Sequence, residues 1–166
     1  MKIVGDHLAQ VSGATTDKVS FDLFGRSAYN RYYYAAFLCV RSGLKRIDSG
    51  WAKPTHAAVP DLLRGQVRDR AKKKIRFAVK SAQITNTHGM QLNRAINDAV
   101  SELSNLLALA REVRRVADYE PEKLVHKEGR VVKLGTCTLD SATKWMQRAD
   151  IEVKKILNVY AQLGLI

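Results

Sequence analysis

Residues Leu92–Ala117 read LNRAINDAVSELSNLLALAREVRRVA, with apolar side chains at Leu92, Ile96, Ala99, Val100, Leu103, Leu106, Leu107, Ala110, Val113 and Ala117. Steps of three and four residues put all of these on one stripe of an α-helix, whose turn closes every 3.6 residues. A stripe this long has to be buried against other helices, so the segment predicts the spine of an antiparallel helical bundle. The polar run Thr85-Asn86-Thr87-His88-Gly89 breaks the pattern before it, and Pro121, which has no amide hydrogen to donate, stops it.

Three other segments supply partners for that stripe. From Asp22 to Arg46, Phe24, Ala28, Tyr32, Ala35, Ala36, Cys39 and Val40 recur at helical spacing, and Ser42-Gly43 weakens the pattern near its end. The turn chemistry of Asp48–Pro54 follows, and Thr55 is placed to cap a second helix through Leu62, Leu63, Val67, Ala71 and Ile75. Thr138 or Asp140 opens a last helix with Ala142, Trp145, Met146, Ala149, Val153, Ile156, Leu157, Tyr160 and Leu163 inward. Residues 120–138 form a loop or a small hairpin about Glu128-Gly129. The expectation is an all-α fold: four main helices with room for a short fifth near the N-terminus, in a single domain over residues 1–166 whose core spans about 20–165.

Composition narrows the class of partner. Hydrophobic residues make up 46% and charged residues 27% of 166, an ordinary globular balance with no apolar run near membrane-spanning length. The first residues lack the uninterrupted apolar core of a secretory signal, and Cys39 and Cys137 have no C-x-x-C partner. A cytoplasmic protein with reduced thiols is therefore expected. Twenty-eight basic residues against 16 acidic ones give a net charge of +12, which calls for a polyanionic partner. No Lys-rich amphipathic helix with Trp or Phe opposite is evident, so nucleic acid or nucleotide is favoured over membrane.

The basic residues are not spread evenly. Within the second helix, the stretch from Arg64 to Lys80 holds Arg64, Arg68, Arg70, Lys72, Lys73, Lys74, Arg76 and Lys80 against a single acid, Asp69. Two readings stand side by side, a solvated helix face and a phosphate-binding surface. Only Phe77 is available there for base stacking. On the first helix, Arg26-Ser27-Ala28-Tyr29-Asn30-Arg31-Tyr32-Tyr33-Tyr34 is rich in tyrosines, most of which periodicity assigns to packing. Arg31 borders the apolar face, where an arginine needs an anion or a carboxylate, and Asp118 is an available partner. Motifs for a phosphate loop, a zinc protease, an EF-hand or a four-ligand Cys/His site are absent, so no cofactor or metal ion is expected.

Three pieces of this sequence resemble one family. Asn30-Arg31-Tyr32-Tyr33-Tyr34-Ala35-Ala36-Phe37 is similar to the S-R-x-Y-Y-A-x-F signature on the first long helix of HEPN domains. Thr55-His56-Ala57-Ala58-Val59 is similar to the T-H-x-x-V start of their second helix, and Arg114-Arg115-Val116-Ala117-Asp118-Tyr119 to the R-x-x-A-D-Y segment that ends the third in one large branch. The resemblance implies a small, usually dimeric helical bundle that binds RNA or nucleotides. Its settings are toxin–antitoxin, phage-defence or related stress systems, with a nucleotidyltransferase-like antitoxin or a defence protein as partner.

Active members are metal-independent endoribonucleases. Their R-x4-6-H motif steadies the scissile phosphate with the arginine and moves protons with the histidine, a task suited to an imidazole at neutral pH. In this chain no histidine lies five to seven residues after an arginine: Arg114 takes the arginine's place, and Asp118 and Tyr119 stand where the histidine would be. Arg114 and His56 are the catalytic candidates that the resemblance leaves, and His126 lies twelve residues after Arg114 in the loop. Arg31, Tyr34, Asp118 and Tyr119, with Arg64, Arg68, Lys72, Lys73 and Arg76, are the candidates for binding RNA or nucleotide. Two functional readings remain open, an RNA- or nucleotide-binding protein with or without cleavage and a non-catalytic helical scaffold for another protein.

Overall fold

The computed structural model describes residues 1–166. About 75% of the chain is helical and the rest includes one small three-stranded sheet, so the fold is all-α in its main part. The helices are α1 (Lys2–Ala14), α2 (Lys18–Ile47), α3 (Val59–Leu62), α4 (Arg68–Lys80), α5 (Asn86–Tyr119), α6 (Leu139–Thr143) and α7 (Trp145–Gln162). A 3-10 turn at Ser49–Trp51 and a π turn at Leu63–Val67 complete the helical part, and the strands are β1 (His126–Glu128), β2 (Val131–Leu134) and β3 (Cys137–Thr138). Residue contacts separate the chain into two compact units, Met1–Leu38 with Leu107–Arg148 and Cys39–Leu106 with Ala149–Ile166. Both long helices, α2 and α5, contribute to each unit.

In the first unit, Asp17 starts α2 by accepting from the Ser20 amide at 2.8 Å. The tyrosines that follow are packing residues, as periodicity implies: Tyr29, Tyr32 and Tyr33 are buried, and Tyr29 lies 6.5 Å from the fully buried Trp145. The Tyr29 hydroxyl donates to the Cys137 carbonyl at 2.8 Å, which ties α2 to the sheet. Helix α1 reaches Tyr32 through Gly5, where an added Cβ would stand 2.8 Å from the ring. Segment 120–138 resolves as the hairpin alternative, extended by a third strand in the order β1-β2-β3. Its two-residue loops start at Gly129 and Gly135, with φ of +61° and +58°, a left-handed geometry that glycine adopts without a side-chain clash.

The second unit packs the end of α2, the α3–α4 run, the first part of α5 and most of α7 around Val40, Leu63, Ile75, Ile96, Leu103 and Ile156. The π turn shifts the register of the second helix, and the buried Tyr160 hydroxyl donates to the Val67 carbonyl at 2.6 Å. Burial pushes that phenol up to about 12, so it stays a donor at any working pH.

Four expectations need correction. Thr55 caps a turn, accepting from Ala58 N at 3.3 Å, and the helix itself begins at Val59. The polar run at 85–89 is not a break: Thr85 caps α5 by accepting from His88 N, and Gly89 lies within the helix, where a Cβ would come 2.5 Å from Val79 on α4. The last helix is two, parted at Lys144. Met146 is 36% exposed and belongs to the outer face of α7.

Candidate functional site

At the end of α5 the first unit gathers four of the expected site residues. Arg114 Nε stands 2.7 Å from Asp118 Oδ2, one turn later on the same helix. Its N–H does not point along that line, so Nε has no hydrogen-bond partner and the pair is held by charge. The guanidinium carbon lies 5.8 Å from the Tyr34 ring centre and 5.5 Å from that of Tyr119, and Nη2 donates to the Tyr34 hydroxyl at 3.4 Å. Burial lowers the affinity of Arg114 for its proton, but Asp118, Tyr34 and Tyr119 together outweigh it and hold the pKa above its ordinary value.

Asp118 is not the partner of Arg31 that the sequence suggested. Its other oxygen accepts from Asn30 Nδ2 at 2.7 Å, so both oxygens are occupied. Arg31 is half-buried and carries no ion pair; it lines a cleft of about 280 Å³ with Ser27, Asn30 and Asp118. Chemically, the Arg114 cluster is a neutralised clamp between α2 and the end of α5. Arg31 is the cation beside it that is left without a carboxylate. His126 is exposed on β1, opposite Lys133 in the hairpin, with Nδ1 3.4 Å from the Leu124 carbonyl.

The remaining candidates belong to the second unit. His56 is half-buried in the turn before α3 and not on a helix start. Along the π turn and α4, three of the eight cations are engaged: Arg64 of the turn donates to Asn105 Oδ1 at 2.9 Å, Arg68 pairs with Asp69 at 3.2 Å, and Arg70 pairs with Asp48 at 2.9 Å. Arg70 also lies 5.7 Å from the Trp51 ring centre. Lys72, Lys73, Lys74, Arg76 and Lys80 have no carboxylate partner. Ala71, Ile75 and Ala78 bury the opposite face of this helix, so the unpaired cations are held outward. Lys72, Lys73, Arg76 and Lys80 recur at spacings of three and four along one face, over about 12 Å of helix. Lys74 leans on Phe77, 5.5 Å from its ring centre.

Some residues were missed from sequence. Lys72 and Arg76 share a cleft of about 370 Å³ with Asp69 and with Asn93 and Asn97 of α5. Two asparagines four apart on the polar side of an amphipathic helix were a visible signal, though an ambiguous one. Arg26 is 9% exposed, and its role had only the Asp22 pairing, four residues away, as a hint. It donates to the carbonyls of Val116, Ala117, Glu120, Pro121 and Lys123, closing the C-terminus of α5.

Searches of protein-family models, curated proteins and solved structures give no match to this chain. No helix is long and apolar enough to cross a membrane. No cluster of three or more His, Cys, Asp or Glu side chains is arranged to hold a metal ion. The case for function therefore rests on the chain's own geometry and charge.

Proposed function

We propose that this is a HEPN-like RNA- or nucleotide-binding protein whose main contact surface is the outer face of α4. The observation that carries the reading is the set Lys72, Lys73, Arg76 and Lys80, aligned on one helix face with none of them held in an ion pair. Charges of one sign kept together in this way repel one another and destabilise the free protein; a polyanion relieves the repulsion and releases counterions as it binds. The three HEPN-like motifs support the same reading. Phe77, exposed and 5.5 Å from the Lys74 ammonium, is the single aromatic ring of this helix, so contacts run mainly to phosphate and sugar and sequence preference is weak. The test is fluorescence anisotropy with a labelled RNA oligonucleotide. The double charge reversal Lys73→Glu with Arg76→Glu reduces affinity at least about a hundredfold at low salt, and an unchanged affinity rules out α4 as the surface.

Cleavage is a further property, and it has its own test. If Arg114 acts in catalysis, RNA incubated with the protein in EDTA yields cyclic-phosphate ends, and Arg114→Ala abolishes them. Intact RNA leaves a binding protein. A second reading, a non-catalytic scaffold for a protein partner of a toxin–antitoxin or defence system, draws on α1. Ile3 is 84% exposed and Val4 48% exposed on the outer side of that helix, an apolar face of the kind that dimers and docked partners cover.

A further inference from the structure

We infer that the cleft between α4 and α5 selects RNA over DNA by hydrogen-bonding the ribose 2′-hydroxyl through Asn93 and Asn97, while Lys72 and Arg76 hold the adjoining phosphates. The inference rests on the reading that α4 is the RNA-binding surface and adds to it what that surface distinguishes. All four residues line one open cleft of about 370 Å³, so a sugar and its flanking phosphates meet cations on the α4 side and amides on the α5 side.

The amides are poised for a hydroxyl. Asn93 Nδ2 is committed to the Gly89 carbonyl at 3.0 Å, which fixes the rotamer and leaves Oδ1 as an acceptor. The Asn97 side chain, one turn further along α5, makes no hydrogen bond within the protein, so its amide offers both a donor and an acceptor. A 2′-hydroxyl is itself a donor and an acceptor; it can donate to Asn93 Oδ1 and accept from Asn97 Nδ2 together. Deoxyribose can do neither, and an amide that stays in contact with it loses water without compensation. Phosphate alone would not call for neutral amides here, since a third cation would bind it more strongly. Asp69 lines the same cleft from α4, and its carboxylate is paired with Arg68 at 3.2 Å.

The experiment compares an RNA oligonucleotide with DNA of the same sequence at one salt concentration, using the whole chain. Wild type binds the RNA about tenfold more tightly. Asn97→Ala and Asn93→Ala each lower RNA affinity about threefold and leave DNA affinity unchanged, so that the double variant treats the two alike. Alanine is favourable inside a helix, and circular dichroism checks that the fold persists. Equal wild-type affinity for RNA and DNA, or parallel loss of both in the asparagine variants, overturns ribose selection while leaving α4 as a general phosphate surface. If neither nucleic acid binds, or Lys72→Glu with Arg76→Glu changes nothing, the wider reading fails and this inference with it.

Discussion

Arg26 shows how a single side chain can finish a helix that lies far away in sequence. The last carbonyls of an α-helix have no internal amide to accept from, and here the planar guanidinium serves the end of α5 as Asp22 holds its Nε at 2.8 Å. Asp22 also accepts from the Val125 amide at 2.7 Å, so the pair fastens the chain on both sides of Pro121. Arg26→Ala is expected to cost about 3 kcal/mol or more in urea unfolding, because it strands buried carbonyls and a buried carboxylate. Arg26→Lys should recover little of this, since an ammonium cannot reproduce the fork. A loss below about 0.5 kcal/mol for the alanine variant would contradict the assignment. The pairing with Asp22 could be read from the i, i+4 spacing. The carbonyl partners could not, being about ninety residues distant, and Asp118 likewise went to Arg114 and Asn30 where sequence offered it to Arg31.

At the scale of elements, periodicity was a good guide wherever one face is buried. The stripe from Leu92 to Ala117 lies within the single helix α5, and the tyrosine run of α2 is largely core. Boundaries depended on contacts that local sequence does not carry: Gly89 reads as a breaker until Val79 of α4 is seen to require its missing side chain. The π turn at Leu63–Val67 left no mark in the hydrophobic pattern either. Helix α1 was the least legible element, for it is anchored by few groups. Asp6 accepts from Tyr32 at 3.0 Å and pairs with Lys2 at 2.7 Å. The Lys2 hydrogen bond is the largest influence on the Asp6 carboxyl and, with Tyr32, holds it below the usual carboxylate range although burial opposes both. A lowered pKa contributes stability that is complete above the unfolded value near ~4 and is lost as pH falls through the folded value. Hydrogen exchange should therefore show α1 loosening as pH falls below about 4, with the step absent in Asp6→Asn. The same step in the variant would place the acid sensitivity elsewhere.

At the scale of the whole chain, a net charge of +12 is legible in composition, and so is its concentration on the second helix. Which cations are free was not legible: pairing removes Arg68 and Arg70 and a hydrogen bond to Asn105 engages Arg64, while Lys72, Lys73, Arg76 and Lys80 remain on one face. The Arg114 cluster looked in sequence like the centre of function, yet its charge is already answered by Asp118. The proposal therefore assigns phosphate recognition to α4, and its most direct measure is the salt dependence of RNA affinity. Four phosphate contacts to a single strand give a slope of about −3 in log K against log salt concentration, and Lys73→Glu with Arg76→Glu should reduce its magnitude by at least about 1.4. A flat dependence in the wild type, or a slope unchanged in the variant, would contradict α4 as the RNA-binding surface.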